Sequence, residues 1–281
     1  MSFRGATDCG LMRAASRGTC LRQLPATGTG TDTDTTSELW DDPARSESRK
    51  DKGLRAELAV IGERVTVVTI TRNEEGAVRK VIADIRAAMP RAEILVVDSS
   101  SDNTAEIAAS LGARVIRQFP PRGYGPAMDT ALHSTNREVI VTLDCDDTYP
   151  IEFIEPMARM VLEEGYDLID GSRLAGKPAA MPWVNFIANW GFALLASVFF
   201  FHRIRDLHSG MRAYRRSMID RLRYEMNGAA LPVELLLRPI GEGYRVKIVT
   251  IPYRPRIGES TMRPLQSAWW TLKRIFVSRF S

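Results

Sequence analysis

Val65-Thr66-Val67-Val68-Thr69-Ile70 decides the fold class together with the helix-patterned stretch behind it. All six residues are β-branched, stiff at χ1 and suited to a strand. Val78, Val81, Ile82 and Ile85 then recur at i, i+3, i+4 and i+7, the period of an amphipathic helix, which Pro90 ends. Ile94-Leu95-Val96-Val97 is unbroken by polar residues, as in a strand covered on both faces. Asp102-Asn103-Thr104 has the chemistry to open a second helix through Leu111, and Gly112 to stop it. Arg114-Val115-Ile116, Val139-Ile140-Val141-Thr142-Leu143 and Tyr166-Asp167-Leu168-Ile169 read as further strands, with a helix from about Ile151 to Glu164 before Gly165. Alternating strands and helices predict an α/β fold, a mostly parallel sheet with helices on both faces. No repeat of 20 to 50 residues is present, which excludes solenoids and propellers.

The 281 residues are 44% hydrophobic and 26% charged, enough to bury a large core, so wholesale disorder and a disulfide miniprotein are excluded. A net charge of +4 does not suggest a nucleic-acid binder. Cys9, Cys20 and Cys145 are too scattered for a disulfide framework or a zinc ribbon, which implies a reducing compartment. Residues 1–57, with the run Thr27-Gly28-Thr29-Gly30-Thr31-Asp32, read as a disordered tail whose nine basic and nine acidic residues cancel. The catalytic unit is expected over 58–263. No secretory signal and no window of roughly 20 unbroken apolar residues is found, so the chain reads as cytoplasmic.

In an open parallel sheet ligands bind beyond the carboxyl ends of the strands. Asp98 closes one apolar strand, and Asp144-Cys145-Asp146-Asp147 closes another. Two hard oxygen donors at Asp144 and Asp146 suit Mg²⁺ or Mn²⁺ shared with a pyrophosphate. Cys145, with no Cys or His near it in sequence, reads as a packing residue. No Gly-x-Gly-x-x-Gly succeeds the first strand, which argues against a dinucleotide oxidoreductase and a P-loop NTPase.

These residues resemble the inverting, GT-A-type family 2 glycosyltransferases, most closely the dolichyl- or polyprenyl-phosphate sugar synthases. Thr71-Arg72-Asn73-Glu74-Glu75, Val97-Asp98-Ser99-Ser100-Ser101-Asp102-Asn103-Thr104, Arg122-Gly123-Tyr124-Gly125-Pro126-Ala127 and Asp144-Cys145-Asp146-Asp147 look like successive motifs of that family. Gly171-Ser172-Arg173, Asp206-Leu207-His208-Ser209-Gly210-Met211-Arg212, Glu234 and Pro252-Tyr253-Arg254-Pro255-Arg256-Ile257-Gly258-Glu259-Ser260 continue the series in order. Arg72, Ser99 and Thr261 depart from the pattern, where Tyr, Asp and a Ser-Lys pair are usual. The resemblance implies a GT-A nucleotide-diphospho-sugar transferase fold. It implies nucleotide-sugar contacts from Thr71, Asn73, Glu74, Asp98, Ser100, Gly123, Asp144 and Cys145, metal at Asp144 and Asp146, and acceptor phosphate contacts from Arg173, Ser209, Arg212, Arg256 and Ser260. Asp146, Arg212 and Glu234 form the expected catalytic set, with Glu234 as a base, a structural acid or, favoured, an orienter of arginines.

A phosphate monoester is already ionised near neutrality and attacks without a general base, provided cations position it. Residues 202–223 hold seven arginines against two aspartates and are read as the acceptor-binding segment. Before them, 183–201 is an aromatic-rich stretch interrupted by Asn185, Asn189 and Gly191, expected as an interfacial helix lying on a bilayer. Residues 264–281 repeat that character as a C-terminal amphipathic helix. The expected function is transfer of a hexose from GDP-mannose or UDP-glucose to a polyprenyl phosphate by an enzyme peripheral to the membrane. The alternatives are a soluble acceptor, such as phosphoglycerate or a sugar hydroxyl, and a catalytically silent nucleotide-sugar-binding protein.

Overall fold

The computed structural model describes residues 53, 55–174, 176–179, 181–226, 230–257 and 264–280. The chain divides into a unit Met1–Asp42, outside the described residues, and a unit Pro43–Ser281 that carries all the described secondary structure. The tail expected over 1–57 therefore lies outside the described residues except at its end. There, residues 55–62 form a helix, α1, so regular structure starts a turn earlier than the sequence pattern indicates.

The strands are β1 (Val65–Thr71), β2 (Glu93–Asp98), β3 (Arg114–Arg117), β4 (Val139–Thr142), β5 (Leu168–Ser172), β6 (Arg212–Arg215) and β7 (Val246–Thr250). The helices are α2 (Glu75–Ala88), α3 (Thr104–Ser110), α4 (Tyr124–His133), α5 (Ile154–Leu162), α6 (Trp183–Phe200), α7 (Arg216–Ile219), α8 (Leu231–Gly241) and α9 (Pro264–Phe280). A single 3-10 turn, Ile151–Phe153, leads into α5. The seven strands form one sheet in the order β3-β2-β1-β4-β6-β5-β7. Only β6 runs against its neighbours, pairing antiparallel with both β4 and β5. Two strands, β6 and β7, are not among those expected from sequence, and β5 begins two residues later than Tyr166.

Alternation along each strand separates two cores. Val65, Val67, Ile94, Val96, Val139 and Val141 face α2 and α5, while Val68, Leu95, Val97 and Ile140 face α4, α6 and α8. Every one of these side chains is buried, at about 1.5–3 kcal/mol each, which is why the strands read as unbroken apolar runs. Gly112 and Gly165 end their helices with φ of 78° and 74°, the left-handed conformation that glycine adopts without a steric cost.

The strand order reverses between β1 and β4, since the chain builds outward to β3 and then returns. Such a switch point opens a crevice at the carboxyl ends of the strands. Thr71 to Glu74 leave β1 there, and Asp144 to Asp147 leave β4.

α6 is 18 residues with a mean hydropathy of 1.5, enough by length and composition to cross a membrane. Its inward residues Ala193, Ala196 and Phe200 are buried in the second core, while Trp183, Val184, Ile187, Trp190, Leu194 and Val198 lie exposed. Phe199 meets Phe276 of α9 edge to face, 5.1 Å between ring centres, so the two aromatic helices adjoin.

Candidate active site

The crevice is built from short loops whose geometry its own side chains fix. Thr71, at the end of β1, is in register with Asp98 at the end of β2. Its hydroxyl donates to Asp98 Oδ1 at 2.7 Å. Asn73 takes a positive φ of 60°, so β1 turns sharply, and Asn73 Oδ1 accepts from the Ser101 amide at 2.9 Å. Ser100 donates its hydroxyl to Asp98 Oδ1 and its amide to Oδ2, and Arg117 donates to Oδ2. Asp98 is thus fully buried with both oxygens engaged. Asp98 ties the ends of β1, β2 and β3 together at the place where a nucleoside contact was expected. Arg117 has no role in the sequence reading, because it lies on β3 outside every motif.

Asp144 and Asp146 come directly after β4. Thr148 donates its amide and hydroxyl to Asp146 Oδ1, at 3.1 and 2.6 Å, which turns Oδ2 toward the crevice. Gly210 packs directly on Asp144: a Cβ there would stand 2.9 Å from each carboxylate oxygen. The Gly210 amide donates to the Tyr149 hydroxyl at 2.7 Å and its carbonyl accepts from Thr142, so this close approach is locked from two sides. Glu74 completes an acidic cluster. Burial pushes Glu74 up to about 6, opposed by Arg256 and reinforced by Asp146 and Asp144. Burial likewise raises Asp144 to about 6, with Asp146 repelling and Arg173 and Arg256 attracting.

Two carboxylates held near a third fit a divalent cation that shares its coordination with a diphosphate. Among the described residues no group of three His, Cys, Asp or Glu is arranged to cage a metal alone. Mg²⁺ and Mn²⁺ sites built from one or two carboxylates, substrate phosphates and water have this composition. Arg256 already places a cation there, with Nη2 2.8 Å from Glu74 Oε1 and Nη1 3.4 Å from Asp146 Oδ2. Cys145, by contrast, packs into the first core and is 2% exposed, as a packing residue would be. Gly123 precedes α4 with φ 101°, a conformation that requires glycine, and nothing lies within 4 Å of its missing Cβ.

On the other side, Arg173 pairs bidentately with Asp206, at 2.7 and 3.0 Å, and its guanidinium sits 5.2 Å over the Tyr253 ring. Burial alone would raise Asp206, but Arg173 overrides it and holds the carboxyl down at about 2. Asp206 and Tyr253 lie inside the family-like motifs, yet only the structure gives them roles. Ser209 is buried and donates to the Gly171 carbonyl at 2.5 Å. Ser260 lies outside the described residues.

Two expected site residues are buried in ion pairs of their own. Arg212 is 1% exposed and stands opposite Asp170 in the β5–β6 register, with its Nε 2.6 Å from Asp170 Oδ1. Its other nitrogens donate to the Pro232 and Leu207 carbonyls. Arg212 is an internal tie of the sheet: its burial and the engagement of Nε, Nη1 and Nη2 by Asp170 and two carbonyls leave it no nitrogen for the expected acceptor phosphate. Glu234 is fully buried on α8 between Arg238 and Arg274, at 2.5 and 2.6 Å, with both carboxylate oxygens engaged there and none offered as a base. It does orient arginines, but those of α8 and α9 and not those of the acceptor segment. His208 is held neutral, burial lowering it to about 4, and its Nε2 meets Thr271 of α9 at 2.8 Å.

A mostly parallel sheet with acidic side chains at its switch point is the arrangement expected of the GT-A fold, and comparison with known proteins identifies the family. Residues 66–223 match the family model of glycosyl transferase family 2. The chain is 44% identical over 201 residues to a dolichyl-phosphate hexose transferase of Haloferax volcanii, covering 71% of this chain and 87% of that one. It is 31% identical to the low-salt glycan biosynthesis hexosyltransferase Agl6 of the same organism, over 78% of this chain and 54% of the relative. The fold is similar to glucosyl-3-phosphoglycerate synthase from Mycobacterium tuberculosis, crystallised with Mn²⁺, UDP and its product. That likeness has a TM-score of 0.64 at 22% identity and covers 80% and 83% of the two chains. The protein belongs to glycosyl transferase family 2 and is an enzyme of the glycosyltransferase class.

Proposed function

We propose that the enzyme moves a hexosyl group from a nucleoside-diphosphate sugar to a polyprenyl or dolichyl phosphate at a membrane surface. The reading is carried by one observation: the segment from Asp206 to Gly210 joins the two halves of the crevice, Asp206 pairing with Arg173 at one end and Gly210 packing on Asp144 at the other. The donor's diphosphate belongs at Asp144 and Asp146, where a bound Mg²⁺ or Mn²⁺ supplies charge neutralisation for the departing diphosphate. Arg173 spends Nε and Nη2 on Asp206, and the described contacts leave Nη1 unengaged to hold an acceptor phosphate.

An ionised phosphate is its own nucleophile, so the engagement of Glu234 in ion pairs removes nothing the reaction needs. The likeness to the Haloferax volcanii transferase supports the lipid acceptor. So does the fold, because α6 reaches this side of the crevice through Phe192, which meets His208 edge to face beside Asp206.

Incubation with radiolabelled GDP-mannose or UDP-glucose, Mn²⁺ and polyprenyl phosphate tests the reading. Label is expected in the organic phase only when the lipid phosphate is present. Transfer solely to a water-soluble acceptor such as phosphoglycerate overturns the lipid acceptor.

A further inference from the structure

The side chain nearest the proposed metal site is not a ligand but a competitor of one. Arg256 bridges Glu74 and Asp146 with two different nitrogens, at 2.8 and 3.4 Å. The backbone around it is fastened to the same loop it neutralises. The Arg254 amide donates to the Thr148 carbonyl at 3.0 Å and the Ile257 amide to the Asp146 carbonyl at 2.9 Å, so the segment runs along Asp146–Thr148. Arg254 is anchored outward on Glu152 at 2.8 Å. Arg256 is therefore held between two pinned positions, with a side chain long enough to stay on the cluster or leave it while the backbone remains in place.

We infer that Arg256 is the resident counter-cation of the Glu74–Asp144–Asp146 cluster, so that a divalent metal alone is excluded and enters together with a nucleoside diphosphate. The physical reason is exchange of partners. The carboxylates of Glu74, Asp144 and Asp146 repel one another, and a planar guanidinium fork relieves this by pairing with Glu74 and Asp146 at once. A metal arriving alone has to displace that fork and leave it without an anion. A diphosphate arriving with the metal offers the guanidinium an equivalent bidentate partner, because the fork fits phosphate as well as carboxylate. Metal and diphosphate thus bind with positive coupling, and by linkage each raises the other's affinity by the same factor. The inference rests on the donor-site reading proposed for this crevice and adds the order in which that site fills.

Binding of Mn²⁺ alone, monitored by the electron paramagnetic resonance of the free ion, tests it with no turnover required. Arg256→Gln is expected to bind Mn²⁺ alone about tenfold more tightly than the native protein, within the usual range of coupling between sites. GDP or UDP is then expected to improve Mn²⁺ affinity less in the variant than in the native enzyme, by the same factor. Arg254→Gln removes an equal charge two residues away and controls for long-range electrostatics, with a change within about twofold. Arg256→Lys keeps a charge but cannot bridge two carboxylates with a fork, so its affinity for Mn²⁺ alone should fall between native and Arg256→Gln.

If Arg256→Gln binds Mn²⁺ alone no more tightly than native, while both take up Mn²⁺ with the nucleotide, the counter-cation role is overturned and the donor site stands. An equal gain in Arg254→Gln overturns it too, since net charge then suffices. If native protein and variants bind neither nucleoside diphosphate nor Mn²⁺ together, the donor-site reading itself fails and the inference falls with it.

Discussion

An alanine at Gly210 would set its Cβ 2.9 Å from both oxygens of Asp144, closer than non-bonded atoms sit. The backbone there has no left-handed φ that demands glycine, so the substitution acts on the carboxylate and not on the chain. Displacement of a catalytic group by about 1 Å costs on the order of 10²-fold in rate. Gly210→Ala is expected to lose about that much turnover, with a melting temperature close to native. Native activity in the variant would show that Asp144 does not need its present position. At this scale the sequence speaks through strand ends: Asp98, Asp144 and Asp146 stand out because polar residues after an apolar run face the crevice, whereas Glu74, three residues beyond β1, is picked out only by the family resemblance. Arg212 was expected at the acceptor phosphate from the family resemblance and its place in an arginine-rich segment. A guanidinium at a phosphate and one buried against Asp170 leave the same local signature, and only the register with β5 separates them.

Elements explain the second misreading. Glu234, Arg238 and Arg274 form a buried network joining α8 to α9, and Glu225 also reaches Arg274 at 3.0 Å. Removing one partner of such a group leaves an uncompensated buried charge, at a cost of about 3–5 kcal/mol. Glu234→Gln is expected to lower the melting temperature by roughly 10 °C while kcat measured well below the melt stays native. Unchanged melting with lost turnover would return Glu234 to the catalytic set. The first strands were legible because near-continuous apolar and β-branched runs mark a parallel sheet covered on both faces. β6 was not, since Arg212-Ala213-Tyr214-Arg215 reads as part of an acceptor-binding segment until Asp170 and Thr142 are found opposite Arg212 on the flanking strands. The surplus of arginines in 202–223 thus answers in part to carboxylates distant in sequence: Arg212 to Asp170, Arg215 to Asp167, and locally Arg216 to Asp220.

For the whole molecule, the decisive asymmetry is the outward face of α6. Single exposed apolar residues are ordinary, but a helical stripe of Trp183, Ile187, Trp190, Leu194 and Val198 is a surface that seeks a partner. Its edges are basic. Lys177 lies 5.2 Å from the centre of the Trp183 ring, Lys273 5.3 Å from that of Trp270, and Arg279 stacks on Phe280 of the adjoining α9. Aromatic and apolar side chains rimmed by cations match the headgroup boundary of an anionic leaflet, where each basic residue adds about 1 kcal/mol to the apolar term. A membrane there would also present an acceptor lipid phosphate to the Arg173 side of the crevice, so the docking face and the chemistry reinforce each other. The native protein is expected to float with vesicles containing anionic phospholipid. Leu194→Glu combined with Val198→Glu, on a face that touches no core, should reduce flotation at least about tenfold while leaving the melting temperature and nucleoside-diphosphate binding unchanged. Flotation equal to native defeats the assignment. So does a native protein that ignores vesicles but forms a dimer abolished by the same two substitutions, since the stripe then meets a second copy of the chain.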